Sequence, residues 1–300
     1  MSRLKEIKIR IRSVKSTRQI TKAMEMVAAA KLRRAVQRAT EARPYAERMD
    51  SMLASLAAGA SGEIAHPFFA VREVKRRTLV VVTSDRGLCG SFNTNILRQA
   101  EQWLTAQAGV ELEIVAIGKR AQDYFKRRKW SIVRTDGDWN GALNFDRSRE
   151  IVTYLTTRFT SGETDAVHLI FTRYISTVKY RVENQSYLPI PRPAVGQRPA
   201  VGERPGLGER IAVRKEYIFE PNAESIYASL MPRYALTKLV TALLDSFASE
   251  HSARMIAMHS ATKNADDMIS NLTRTFNKVR QGQITKEILE IVGGAEALKG

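Results

Sequence analysis

A chain of 300 residues, 44% of them hydrophobic, can bury a sizeable core in one to three domains. No run of about 18 apolar residues occurs, which excludes a membrane-spanning helix, and the basic first ten residues lack the apolar centre of a secretory signal. The single cysteine, Cys89, excludes an internal disulfide or multi-cysteine zinc site and fits a reducing, cytosol-facing location, while the formal charge of +17 calls for an anionic partner.

Residues 3–57 read as a long helix. Leu4, Ile7, Ile11 and Val14 recur at steps of three and four; Met24, Val27, Leu32 and Val36 continue less regularly, and Met49, Leu53 and Leu56 extend the face. Pro44 falls inside this pattern, so a kink or break is expected there. Lys and Arg number 13 between Met1 and Arg43 against three acids (Glu6, Glu25, Glu41), an excess of 10. Such a run reads either as a solvated face or as a basic surface, including Arg33, Arg34 and Arg38, turned toward an acidic partner.

Residues 58–76 carry loop signals at Gly59, Gly62 and Pro67. The period then changes. The β-branched run at 78–83 reads as a buried parallel strand, followed by a helix near 93–108, a strand at 112–117, a helix at 119–128, another at 148–160 and a strand at 166–172. Weaker strand candidates at 177–182 and 186–190 suit an added edge. This alternation predicts a small α/β domain with a mostly parallel sheet.

The turn Asp85-Arg-Gly-Leu-Cys-Gly90 can present N–H groups to phosphate, yet it fits neither G-x-G-x-x-G nor the Walker pattern. A tight strand-to-helix turn is the plainer reading. Cys89 as a nucleophile needs a base, and His66, His168, His251 and His259 are scattered. His251 and His259, eight apart, miss the zinc-clamping spacing, and the acidic pairs Asp136/Asp138 and Asp266/Asp267 suit turn and helix-surface roles. No catalytic, metal or cofactor site stands out. Three copies of a six-residue unit, beginning at Arg192, Arg198 and Arg204, place a proline every six residues and read as an extended excursion, or as an arm for an anionic surface.

From Tyr234 to Val292 a second long helix is expected, with Leu236, Val240, Leu243 and Phe247, then Ile269, Leu272, Phe276 and Val279 on one face. A helix of that length requires a long partner, and the N-terminal helix supplies one as a coiled coil.

Four blocks carry a resemblance. Ile20-Thr-Lys-Ala-Met-Glu-Met-Val-Ala-Ala-Ala-Lys31, Thr83-Ser-Asp-Arg-Gly-Leu-Cys-Gly-Ser-Phe-Asn93, Ser249-Glu-His-Ser-Ala-Arg-Met-Ile-Ala-Met258 and Gln283-Ile-Thr-Lys-Glu-Ile-Leu-Glu-Ile-Val-Gly-Gly-Ala295 resemble the gamma subunit of the F-type ATP synthase, in the same order along nearly the whole chain. The Arg-Pro repeat departs from that pattern. The resemblance implies an α/β protein: a long antiparallel coiled coil of N-terminal (1–57) and C-terminal (221–300) helices with an inserted Rossmann-like domain (58–220). It implies a non-catalytic rotor, one copy per complex and without cofactor or nucleic acid, that couples ion flow to ATP synthesis. Its partners would be the alpha and beta subunits, the epsilon subunit and the proteolipid c-ring. The location would be peripheral, on the cytoplasmic side of the inner or plasma membrane. By matching positions, Met24, Arg254, Arg280, Gln281 and Thr285 are expected to meet the catalytic hexamer, and Tyr217 and Glu220 the ring and epsilon. A nucleic-acid-binding protein and an α/β nucleotide enzyme are the alternatives that +17 and the 85–90 turn leave open.

Overall fold

The computed structural model describes residues 2–59, 66–107, 109–191 and 223–297. Two helices, α1 (Ser2–Gly59) and α5 (Ala223–Ala297), flank an α/β region and contribute to both of the chain's two compact units. The first unit comprises 1–30 and 254–300, the second 31–253.

The covered face of α1 is a strict heptad stripe. Leu4, Ile7, Ile11, Val14, Thr21, Glu25, Ala28, Leu32, Ala35, Ala39, Ala42, Ala46, Met49, Leu53 and Leu56 are buried or half-buried at alternating steps of three and four, with only Arg18 exposed in that sequence. The central part is built largely from alanine, which is why large apolar residues read as irregular there. Val27, expected on the seam, is 57% exposed, because the 3.5-residue repeat passes through Ala28 instead. Pro44 neither breaks nor ends α1. Pro44 and Thr40, whose carbonyl loses its helical donor, are both exposed residues.

In the first unit the two helices run antiparallel. Arg18 Nε meets Asp266 at 2.5 Å, Thr262 Oγ1 meets Thr21 Oγ1 at 2.8 Å, and His259 Nδ1 meets Glu25 at 3.1 Å. As the α1 number rises, the α5 number falls. On α5 the covered positions Met258, Thr262, Ala265, Ile269, Leu272, Phe276, Val279 and Gln283 repeat the three-four spacing.

The second unit centres on a five-stranded sheet: β1 (Arg76–Val82), β2 (Glu111–Ile117), β3 (Ile132–Asp136), β4 (Ala166–Tyr174) and β5 (Tyr180–Leu188), in the order β3-β2-β1-β4-β5. The first four are parallel, with Val80 opposite both Val115 and Leu169, and β5 is antiparallel to β4. The two weaker strand candidates are thus largely one strand, and β3 has no counterpart among the expected ones. Period-two alternation sends Val80, Val82, Val115, Ile117, Val167 and Leu169 to one face. There they pack with Met49 and Leu53 of α1, Ile151 and Leu155 of α4 (Phe145–Thr160), and Leu239 and Leu243 of α5. Leu79, Val81, Ile114, Ala116 and Ile170 point the other way, onto α2 (Phe92–Thr105) and α3 (Lys119–Arg127). Burial on both faces is what makes the parallel strands read as continuous apolar runs. Gly118, at φ 92, lets β2 turn into α3; a Cβ there would lie 2.2 Å from the Thr83 carbonyl.

Candidate functional site

In sheets of this class, ligands bind outside the carboxyl ends of the parallel strands. Here that end is filled from within. Ser246 Oγ accepts from the Thr172 N–H at 3.1 Å, Ser249 Oγ donates to the Thr172 carbonyl at 3.4 Å, and Ser252 Oγ donates to the Thr177 carbonyl. Asp245 through Ala253 form an unbroken buried run of α5 that takes in these three serines together with Asp245, Glu250 and His251, the last packed onto Gly141. Side chains of α5 therefore occupy main-chain groups at the carboxyl end of β4.

The 85–90 turn is similarly occupied. Asn93 Oδ1 accepts from the Ser84 N–H at 3.1 Å, its Nδ2 lies 3.1 Å from Cys89 Sγ, and Ser84 Oγ donates to the Arg86 carbonyl at 2.6 Å. Cys89 is buried, and Ser84 Oγ, the Arg86 carbonyl and Asn93 Nδ2 are among its neighbours. The histidines do not converge. His66 Nδ1 caps the 3₁₀ turn Pro67–Phe69, the His168 ring lies tilted against Trp103 with centroids 4.8 Å apart, His251 meets the Gly141 carbonyl at 3.1 Å, and His259 meets Glu25. Among the described residues no group of three metal-ligating side chains exists. Asp136 is bonded by Arg134 (2.7 Å) and Arg147 (3.3 Å), and Asp138 by Lys119 (2.7 Å), which holds its carboxyl below the usual range. These acids are structural partners of nearby cations.

The surfaces of the two long helices are more informative. Lys31, Arg33, Arg34 and Arg38 are all exposed on α1 within the second unit. In the first unit, Met24 is half-buried on α1 between the Thr21 and Glu25 contacts, and Arg254 is half-buried on α5. Arg280, Gln281 and Thr285 lie together on the last stretch of α5, all exposed, with Thr285 Oγ1 donating to the Gln281 carbonyl at 3.0 Å. Tyr217, Glu220 and the 192–210 repeat fall outside the described residues. From Ile284 through Ala295 every residue is exposed, including the large aliphatic side chains of Ile284, Ile288, Leu289, Ile291 and Val292. Sequence reasoning passes over this apolar tip. Its signal is a cluster of large aliphatic residues continuing after the heptad positions have ended.

Two buried or half-buried acids mark where α1 meets α5. Burial pushes the Glu25 carboxyl up, but bonds from His259 and Lys22 outweigh it and leave it below its usual range. Asp245 goes the other way: burial raises it to about 6, although Arg43 (3.7 Å) and Arg173 (3.9 Å) pull it down. Glu25 lines a groove beside His259, Lys22 and Asp266, and Asp245 one beside Arg43, Asp50 and Lys238; in both, the acid is paired with a cationic or imidazole side chain of the other long helix.

Comparison with known proteins agrees with this picture. The family model described as ATP synthase matches residues 3–298. The chain is 41% identical over 299 residues to the ATP synthase gamma chain of Pelotomaculum thermopropionicum and 43% identical over 303 residues to that of Nitratidesulfovibrio vulgaris, each match covering 100% of both chains. In fold it is similar to a chain of the Euglena gracilis mitochondrial ATP synthase, solved as OSCP, F1 and c-ring in rotational state 3. That match has a TM-score of 0.68 at 19% identity, over 99% of this chain and 95% of the other. A chain from the central stalk and c-ring of the Tetrahymena thermophila enzyme is similar at TM-score 0.57 and 24% identity, over 81% and 99%. A parallel sheet whose β4 end is bonded to its own C-terminal helix, and terminal segments paired antiparallel in the first unit, thus belong to a chain that is a member of the ATP synthase gamma chain family.

Proposed function

We propose that this chain is the rotating central-stalk subunit of an ion-translocating ATP synthase, itself performing no bond chemistry. The observation that carries the reading is the antiparallel pairing of residues from opposite ends of the sequence, Arg18 with Asp266 and Glu25 with His259. A shaft needs a seam that is satisfied internally and an outer surface free to bind, and the α1–α5 pair has both. Its function is mechanical: an asymmetric shaft shifts a partner between conformations only by contacting those conformations with different free energies.

The partners follow from the family. The alpha and beta subunits would surround the coil, with Met24, Arg254, Arg280, Gln281 and Thr285 among its contacts. The exposed aliphatic tip at 284–292 supports a dry bearing, because an apolar patch of this kind on a helix end favours a covered state. Lys31, Arg33, Arg34 and Arg38 would face acidic partner surfaces. Epsilon and the c-ring would meet the region of Tyr217 and Glu220, with the subunit a peripheral protein on the cytoplasmic side of the inner or plasma membrane. No described helix is long and apolar enough to cross a membrane.

The substitution Met24→Lys tests the contact assignment. Added positive charge beside an acidic partner loop tightens that contact, so ATP hydrolysis by the assembled complex should persist while ATP-driven ion pumping falls. Normal pumping and synthesis would remove Met24 from the rotor–stator contact.

A further inference from the structure

At the carboxyl end of the sheet three chain segments converge on one carboxylate. Asp85, in the turn after β1, accepts the Lys119 N–H at 3.2 Å and the Asp138 N–H at 2.9 Å on Oδ1, and the Asn140 N–H at 2.7 Å on Oδ2. Lys119 is the first residue of α3, where main-chain N–H groups lack helical partners and the helix dipole favours negative charge. Asp138 and Asn140 belong to a separate loop after β3, and positive φ at both (62° and 50°) accompanies the inward turn of their N–H groups. Main-chain donors from two segments aimed at a single point form the kind of concavity that binds phosphate in other proteins. The Lys119 amine is paired with the Asp138 carboxylate at 2.7 Å, so this ion pair leaves the main-chain N–H groups as the donors that define the site.

We propose that Asp85 is a resident anion: its carboxylate fills an anion site built by α3 and the 138–140 loop, and by filling it positions both against the 85–90 turn. Two outward features depend on that position. Leu88 is held 62% exposed at φ 62°, a conformation that disfavours a branched side chain unless its surroundings fix it. The loop continues to Gly141, whose carbonyl meets His251 of α5 at 3.1 Å. Asp85 is therefore a positioning residue joining the turn, α3 and α5, and this role does not depend on the rotor reading.

A resident anion differs from an ordinary packing residue in one measurable way: a free anion can replace it. Thermal unfolding of the full-length chain with Asp85→Ala should show a Tm about 4–10 °C below the unsubstituted chain in chloride, from the loss of three charge-assisted bonds. About 0.1 M sodium formate, compared with sodium chloride at equal ionic strength, should restore at least half of that loss and leave the unsubstituted chain nearly unchanged. Asp85→Asn keeps the site filled, so its Tm should lie between the two and ignore formate. If Asp85→Ala yields soluble chain only when purified in formate, the proposal gains the same support. An Asp85→Ala chain as stable as the original, one that formate stabilises no more than the original, or one insoluble in both buffers would overturn it.

Discussion

Thr262 Oγ1 lies 2.8 Å from Thr21 Oγ1, both side chains buried, across 241 residues of sequence. Between them and their neighbours the seam of the first unit is polar for three successive contacts: Arg18 with Asp266, Thr21 with Thr262, and Glu25 with His259. Apolar positions flank this stretch, with Ile7, Ile11 and Val14 on α1 and Ile269, Leu272 and Phe276 on α5. Polar residues inside a coiled-coil seam fix register at some cost in stability. A heptad stripe alone would permit pairings displaced by seven residues, whereas a hydroxyl facing a hydroxyl permits one.

A double-mutant cycle on this pair should show strong coupling. Thr262→Val removes the bond donated to Thr21 Oγ1, whose own proton goes to the Arg18 carbonyl at 3.0 Å, and should cost about 0.5–1.5 kcal/mol. Adding Thr21→Val should recover most of that loss. Urea unfolding of the four chains measures it, and strictly additive losses would show that the hydroxyls do not interact.

Farther along the seam, Leu272→Asp puts a charge at a half-buried heptad position and should cost about 1–2 kcal/mol of local stability. Hydrogen exchange resolved along the sequence should register the change in both 2–30 and 254–297, because those segments pair. Faster exchange in the C-terminal segment alone would show that the two are not mutually supporting.

Asp245 gives the second unit a defined pH dependence. Its folded pKa of about 6 exceeds the ordinary value of 3.8, so the native state binds more proton than the unfolded chain between these limits. Stability from this group is fully present below about pH 3.8 and is lost as pH rises through about 6, a change on the order of 1–3 kcal/mol. Asp245→Asn should flatten that part of the stability profile. Unfolding midpoints at several pH values across the window check it, and an unchanged slope would mean another group is responsible.

The basic face of α1 should act through long-range charge. Replacing Arg33, Arg34 and Arg38 with Gln should weaken assembly with the catalytic subunits several-fold more at about 20 mM salt than at about 200 mM, where screening already removes much of the attraction. Association rates read the effect directly, and an equal loss at both salt concentrations would rule out an electrostatic role.

How far the fold is legible depends on how much of each element one side-chain type carries. Strands β1, β2 and β4 are visible because burial on both faces demands β-branched runs. The far stripe of α5 is visible because Ile269, Leu272, Phe276 and Val279 are large. β3 is hidden, since Ile132–Asp136 mixes charges with apolar residues, and none of its first four side chains is fully buried. The middle of α1 is obscured by Ala28, Ala35 and Ala39, where small side chains serve the seam better than large ones. Asp85 reads only as part of a turn, because its three donors come from Lys119, Asp138 and Asn140, and no local spacing announces contacts made 34 to 55 residues away. The buried serines of α5 are hidden for the same reason: their partners are main-chain groups of β4 and the loop that follows.

The rotor reading is tested most directly by watching the chain turn. In a complex immobilised through its catalytic subunits, a bead attached to an exposed cysteine on this chain, in a background carrying Cys89→Ser, should rotate in one direction while ATP is hydrolysed and stop when ATP is withdrawn. A bead that stays fixed while the same complexes hydrolyse ATP would contradict a rotating shaft.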